Sequence, residues 1–196
     1  MNKETALKIF RQSKALLDGH FLLTSGLHSP QYFQCAKVLQ YPQYAELLCR
    51  EIANHFRHDN IDLVISPAIG GIVAGQEVAR LLDCRAIFAE RQNNTMTLRR
   101  GFELLEGENV LAVEDVVTTG GSLSEIIELA SAQNTEIKGA GFLVDRSGGK
   151  ATFGCPRFAV FEMQVTTYQP EKCPLCDQKI PLIKPGSRSL NAMQGK

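Results

Sequence analysis

The chain has 196 residues, 44% of them hydrophobic, with 21 Lys plus Arg set against 21 Asp plus Glu. That length is one domain with enough interior for a real core. The balanced charge gives no global field for nucleic acid or an anionic membrane, and every apolar run is broken well short of the roughly 18 residues of a transmembrane helix.

The start, Met-Asn-Lys-Glu-Thr, leads into an amphipathic segment and has no signal-peptide layout, so a cytoplasmic location is expected. Residues 5–17 carry Ala6, Leu7, Phe10 and Leu17 at helical spacing and predict a helix on the body. Residues 19–33 hold short apolar runs punctuated by Gly26 and Pro30 and end in the aromatic pair Tyr32-Phe33. They predict a hairpin. Residues 42–56 open on Pro42 and keep Ala45, Leu48, Ile52 and Phe56 in helical register.

Residues 61–65 read as the first buried strand. They run into Ser66-Pro-Ala-Ile-Gly-Gly71 and a helix through Leu82. Gly70 and Gly71, between strand and helix, offer free N–H groups to an anion, although a packing turn explains two glycines nearly as well. Residues 84–89 form a second strand. Residues 90–100 are polar and weakly periodic, with Arg91 at one end and Arg99 and Arg100 at the other, and predict a mobile loop.

The most informative stretch is 110–123, Val-Leu-Ala-Val-Glu-Asp-Val-Val-Thr-Thr-Gly-Gly-Ser-Leu. Residues 110–113 suit a strand buried on both faces of a parallel sheet. Glu114 and Asp115 place two carboxylates where that strand is expected to end. Thr118, Thr119, Gly120, Gly121 and Ser122 then supply hydroxyls, glycines and a helix start. Ser122 and Glu125 fit a capping box, and Leu123, Ile126, Ile127 and Ala130 share one helical face. Such a loop can hold a phosphate. The carboxylates would repel a bare phosphate, so they suit a ligand that also carries hydroxyls or Mg²⁺, as a ribose 5-phosphate does. An ordinary turn has no need of paired acids, no Gly-Lys-Ser/Thr marks a P-loop, and no G-x-G-x-x-G follows a strand.

Residues 137–144 form a further strand that ends in Asp145-Arg146, followed by the turn Ser147-Gly-Gly149 and a last strand over 158–165. An Arg at the tip of a buried strand suits a carboxylate ligand better than packing. Beyond residue 169 the chain is rich in Pro and polar residues, and 190–196 is expected to be disordered. The cysteines, Cys35, Cys49, Cys84, Cys155, Cys173 and Cys176, are read as reduced thiols. Cys173-Pro-Leu-Cys176 has the spacing of a metal knuckle, with Cys155 as a third candidate. A zinc site is disfavoured, because no second pair and no nearby His completes four ligands.

Residues 110–123 closely resemble the 5-phosphoribosyl-1-pyrophosphate (PRPP) signature of type I phosphoribosyltransferases. The segment 19–33, with Phe, Leu, Ser-Gly, Ser-Pro and the aromatic pair in this order, resembles the N-terminal hood of the orotate phosphoribosyltransferases. Leu98-Arg-Arg-Gly-Phe102 and the tail are similar to the branch of that family typified by thermophilic bacteria. The resemblance covers residues 19–188.

It implies an α/β fold of the type I phosphoribosyltransferase kind, with a mostly parallel central sheet flanked by helices and a small hood. The single domain would comprise helix and hood over 1–41, core over 42–168 and irregular tail over 169–196. It also implies transfer of the phosphoribosyl group of PRPP to orotate, giving orotidine 5′-monophosphate and pyrophosphate in de novo pyrimidine synthesis. Glu114, Asp115, Val116, Val117, Thr118, Thr119, Gly120, Gly121 and Ser122 would bind PRPP. Thr118, Arg146 and Tyr32 or Phe33 would bind orotate. Ala68, Ile69, Gly70, Gly71, Arg91, Arg99 and Arg100 would take pyrophosphate. Mg²⁺ would be bound through PRPP, and in a homodimer loop 90–100 would close the neighbour's site. Two features depart from the family pattern: Thr24 stands where many members have Lys, and the loop carries arginines in place of lysines and His-Gly. Two other readings share the central motif: a phosphoribosyltransferase for another base, and a PRPP-binding regulator acting on nucleic acid. The first has no use for Arg146, and the second would need a basic segment that is absent from the sequence.

Overall fold

A computed structural model of the chain describes residues 1–23 and 25–185. Thr24 and the tail beyond Pro185, including the expected disordered end, lie outside the described residues. Helix α1 (Lys3–Gln12) is capped by Asn2, whose side chain accepts from the Thr5 N–H. It stops five residues before the expected end. Ser13 turns its hydroxyl back onto the Ile9 and Phe10 carbonyls, and Lys14 takes a positive φ that no helix can continue through.

Strands β1 (Leu16–Leu22) and β2 (His28–Phe33) pair antiparallel as a two-stranded sheet, the hood. A short helix α2 (Ala36–Leu39) leads to α3 (Pro42–Phe56), then β3 (Leu63–Pro67) and α4 (Gly70–Leu82). Strands β4 (Arg85–Gln92), β5 (Thr95–Leu98) and β6 (Asn109–Val117) follow. The chain continues through α5 (Gly121–Ser131), β7 (Glu136–Asp145), β8 (Arg157–Glu162) and the short α6 (Pro174–Asp177).

The central sheet has the order β5-β4-β3-β6-β7-β8, parallel except for the edge strand β5. The inner strand β3, the first half of β6 and most of β7 bury both faces, which is why they read as apolar runs. Val64, Leu111 and Val113 point to the face covered by α1, α3 and α4; Leu63, Ile65, Val110 and Ala112 point to the face covered by α5. No helix among the described residues is long and apolar enough to cross a membrane.

Two further expectations change. The mobile loop over 90–100 is largely the β4–β5 hairpin, turned by Asn93 and Asn94, both at positive φ, which asparagine tolerates. Strand β6 runs on to Val117, four residues past the expected end, because β7 pairs with it out to Val117↔Asp145. The chain after β8 is irregular in conformation, as expected of the tail, and docks on the hood. Tyr168 and His28 exchange N–H···O bonds of 2.9 Å each, Leu22 N–H donates to Ile183 O at 2.8 Å, and Ile183 N–H donates to His20 O at 2.8 Å.

Candidate active site

The chain order of the sheet reverses between β3 and β6. Chain continuing from β3 builds outward through β4 and β5, whereas β6 returns to the other flank of β3 and continues through β7 and β8. A crevice opens at such a switch point, outside the carboxyl ends of the two strands. The loops after β3 and β6 flank it. Pairing of β3 with β6 ends at Ile65↔Ala112, so β6 from Val113 onward has no β3 neighbour on that side.

Gly120 takes φ +85°, and a Cβ there would fall 2.9 Å from the Phe153 ring. Only glycine is comfortable at that position. It is the N-cap of α5, and no side chain caps the helix. The expected capping box is therefore absent. Glu125 instead accepts from Arg91 Nη2 at 2.8 Å. The consequence favours a ligand, since the first-turn N–H groups of a helix have no intrahelical acceptors and attract an anion. Thr118 and Thr119 are exposed beside them, whereas Val117 is in the core and Val116 packs partly against it. Those two valines offer backbone rather than side chains.

Across the crevice, the Ala68–Ile69 peptide is cis and leads into α4, which likewise has no side-chain cap. The two loops touch. A Cβ on Gly70 would lie 2.7 Å from Asp115 Oδ1, so this glycine is what admits the carboxylate. Glu114 and Asp115 form no ion pair among the described residues. Burial, reinforced by the neighbouring Asp115, pushes the Glu114 carboxyl up to about 8. Burial also raises Asp115, against hydrogen bonding to the Val116 N–H. Two adjacent, poorly solvated carboxyls with no cation of their own are suited to hydroxyl groups or to a ligand-borne metal ion.

Arg146 stands at the end of β7, its N–H donating to Val117 O at 2.8 Å. It is half-buried, and its Nε has no hydrogen-bond partner. Burial lowers its pKa, with Tyr32 and Cys35 opposing. Its Cζ sits 5.7 Å from the centre of the Tyr32 ring. The adjacent acid does not take this charge. Asp145, fully buried, receives Arg157 Nη1 and Ser147 N–H at 2.7 Å each. Burial alone would raise the Asp145 carboxyl, but those hydrogen bonds hold it below its ordinary value.

Phe33 is corrected. Successive strand residues face opposite sides, so Tyr32 meets Arg146 while Phe33 is buried edge-on to Phe10, with ring centres 4.7 Å apart. The arginines of 90–100 are each ion-paired within this chain. Arg91 pairs with Glu125, and Arg99 and Arg100 pair with Glu90. Sequence reading missed Arg157, which frees Arg146, and Cys35, whose buried thiol lies 3.7 Å from Asp115 O and links the hood to β6. It also erred on the cysteine knuckle. His20 and His28, 145 or more positions away in sequence, lie within 4.8 Å of the Cys173 and Cys176 sulfurs, while Cys155 packs against the α5-side core instead.

The phosphoribosyl transferase domain family matches residues 36–153. The orotate phosphoribosyltransferase of Caldicellulosiruptor saccharolyticus is 53% identical over 190 residues, 97% of this chain and all of that one. The crystal structure of orotate phosphoribosyltransferase from Aeropyrum pernix superposes with a TM-score of 0.64 at 26% identity, covering 80% of this chain and 92% of that chain. Leishmania donovani UMP synthase superposes with a TM-score of 0.71 at 25% identity over 83% of this chain, which spans only 37% of that longer protein.

Proposed function

Because this chain belongs to the phosphoribosyl transferase family, we infer that its switch-point crevice transfers the 5-phosphoribosyl group of PRPP to orotate. The products are orotidine 5′-monophosphate and pyrophosphate, a step of pyrimidine synthesis. The observation that carries the choice of base is Arg146, a half-buried guanidinium without an ion-pair partner among the described residues, set against Tyr32. A neutral purine would leave that charge unmatched, whereas the carboxylate of orotate matches it and the ring can lie against the tyrosine.

The chain's own groups do most of the work by positioning. The uncapped start of α5 and the Thr118–Thr119 hydroxyls suit the 5-phosphate, Glu114 and Asp115 the ribose 2- and 3-hydroxyls, and the loop 68–71 the pyrophosphate. C1 loses pyrophosphate as the base nitrogen approaches, so the transition state gathers positive charge on the ribose and negative charge on the leaving group. Glu114 and Asp115 lie on the side where the positive charge grows, and backbone N–H groups lie where the negative charge grows. Orotate is already anionic, so no strong base is required. Two half-buried carboxyls, unpaired among the described residues, fit a ligand that arrives with a cation. A Mg²⁺ ion arriving with PRPP would be held near Glu114 and Asp115 and would neutralise charge on the leaving group.

A homodimer in which the β4–β5 hairpin of one protomer reaches the crevice of the other is part of the same proposal, as is a cytoplasmic location. Arg99 and Arg100 are exposed just beyond that hairpin, where both pair with Glu90, a partner that a pyrophosphate can replace.

The test is a spectrophotometric assay with PRPP, Mg²⁺ and one base at a time. Orotate should be consumed, and adenine, guanine, xanthine and uracil should not. Turnover of one of those bases in place of orotate would remove the role given to Arg146.

A further inference from the structure

The hood and the tail meet at four side chains that the transfer reaction does not use. His20 and His28 project from β1 and β2, and Cys173 and Cys176 flank the start of α6. His20, His28 and Cys173 are 2%, 5% and 1% exposed, and Cys176 lies at the surface edge. His20 Nε2 lies 3.0 Å from His28 Nδ1, 3.5 Å from Cys173 Sγ and 3.8 Å from Cys176 Sγ; Cys176 Sγ lies 3.4 Å from His28 Nδ1.

Hydrogen bonding alone leaves this arrangement unexplained. His20 Nδ1 is 2.8 Å from the Ile180 carbonyl, which can only accept, so that nitrogen carries the proton. His20 Nε2 in the neutral ring is then a single lone pair with three polar neighbours, of which it can satisfy one. Four donor atoms converging on one point are what a metal ion organises. For a tetrahedral ion with metal–nitrogen bonds near 2.0 Å and metal–sulfur bonds near 2.3 Å, adjacent donors should be roughly 3.3–3.8 Å apart. The four separations given above fall in or just below that range, and all four donor atoms lie within 4.8 Å of one another.

We propose that His20, His28, Cys173 and Cys176 form a Cys₂His₂ site for a structural Zn²⁺ ion. Two thiolates and two imidazoles are the donor set that zinc prefers, and four protein ligands leave no open position for chemistry. The surroundings are those of a metal knuckle. Cys176 and Asp177 N–H groups turn back onto Cys173 O at 3.0 and 3.3 Å, and the Ile180 carbonyl orients the His20 ring from behind. The ion would tie the C-terminal segment to the hairpin that carries Tyr32, which also meets the chain after β8 through backbone bonds at Tyr168 and Ile183 and through the Ser29 hydroxyl on Thr166 O.

The experiment uses the full chain, reduced and made metal-free with a chelator, and reads the metal rather than the turnover. Elemental analysis of the protein as purified should give about one equivalent of zinc per chain. Titration of the metal-free chain with Co²⁺ should produce the intense visible bands of tetrahedral cobalt and a thiolate-to-cobalt charge-transfer band, saturating at one equivalent. Cys176→Ser should weaken the charge-transfer band and lower cobalt affinity. Hydrogen exchange should show that removing the metal loosens the Leu22 and Ile183 amides while leaving β3 and β6 protected. Octahedral cobalt spectra with the unaltered chain, or a Cys173–Cys176 disulfide in the protein as purified, would overturn the proposal. Neither outcome bears on the orotate assay, so the two inferences fail separately.

Discussion

Arg146 owes its availability to another arginine. Arg157 and the Ser147 N–H occupy both oxygens of Asp145, so the acid that adjoins Arg146 in sequence is already satisfied and the guanidinium faces Tyr32 without an anion. Replacing a charged hydrogen-bonding partner costs about 1.5–3 kcal/mol. Arg146→Ala should accordingly raise the KM for orotate by roughly 10- to 100-fold, with a much smaller change for PRPP. Steady-state kinetics with each substrate varied in turn checks this, and equal effects on both would argue against base selection. Glu114 gives a second prediction. Its carboxyl is raised from 4.5 to about 8, so between those values the folded chain holds a proton that the unfolded chain has released. Stability contributed by this group therefore falls as pH rises through that window, by at most about 1.4 kcal/mol per pH unit and less because water reaches part of the carboxyl. Denaturant midpoints of the ligand-free chain, followed from about pH 5 to pH 8, should show a slope that Glu114→Gln flattens.

Among the elements, β6 and α5 matter most, and the joint between them rests on one backbone conformation. Gly120 holds a positive φ against the Phe153 ring and starts α5 without a side-chain cap. Gly120→Ala would place a methyl group in a strained conformation and in contact with that ring. It should destabilise the fold by about 1–3 kcal/mol and raise the KM for PRPP more than that for orotate. Urea unfolding and paired kinetics would measure the two effects. A loss of stability with unaltered PRPP binding would detach the loop from the phosphate. The β4–β5 hairpin shows how local chemistry can be misread. Polar residues over 90–100 looked like a loop, yet Asn93-Asn94 is a turn signal, and Thr95, Met96, Thr97 and Leu98 pair with β4 in alternation. Sheet pairing supplied the order that composition did not disclose.

At the scale of the molecule, the exposed arginines of that hairpin fit a shared site, and light scattering at assay concentration should give the mass of two chains. A monomer with full activity would confine the reaction to one chain's own residues. Local sequence was enough to identify the apolar runs of β3 and β6, the glycine loops that follow them, and the acid pair with its Thr-Thr-Gly-Gly-Ser continuation. These signals are local because a buried parallel strand and an anion-binding helix start each need particular residues at neighbouring positions. The assignment of Tyr32 rather than Phe33 to the site required the facing of β2. The capping box and the isolation of the cysteine pair were misjudged because the partners come from other parts of the chain. Glu125 is held by Arg91, and Cys173 and Cys176 meet His20 and His28 only after the tail docks on the hood. Sequence spacing fixes what one strand or helix can offer; which offers meet is decided by the strand order and the docked tail, which brings His20 and His28 within 4.8 Å of the Cys173 and Cys176 sulfurs.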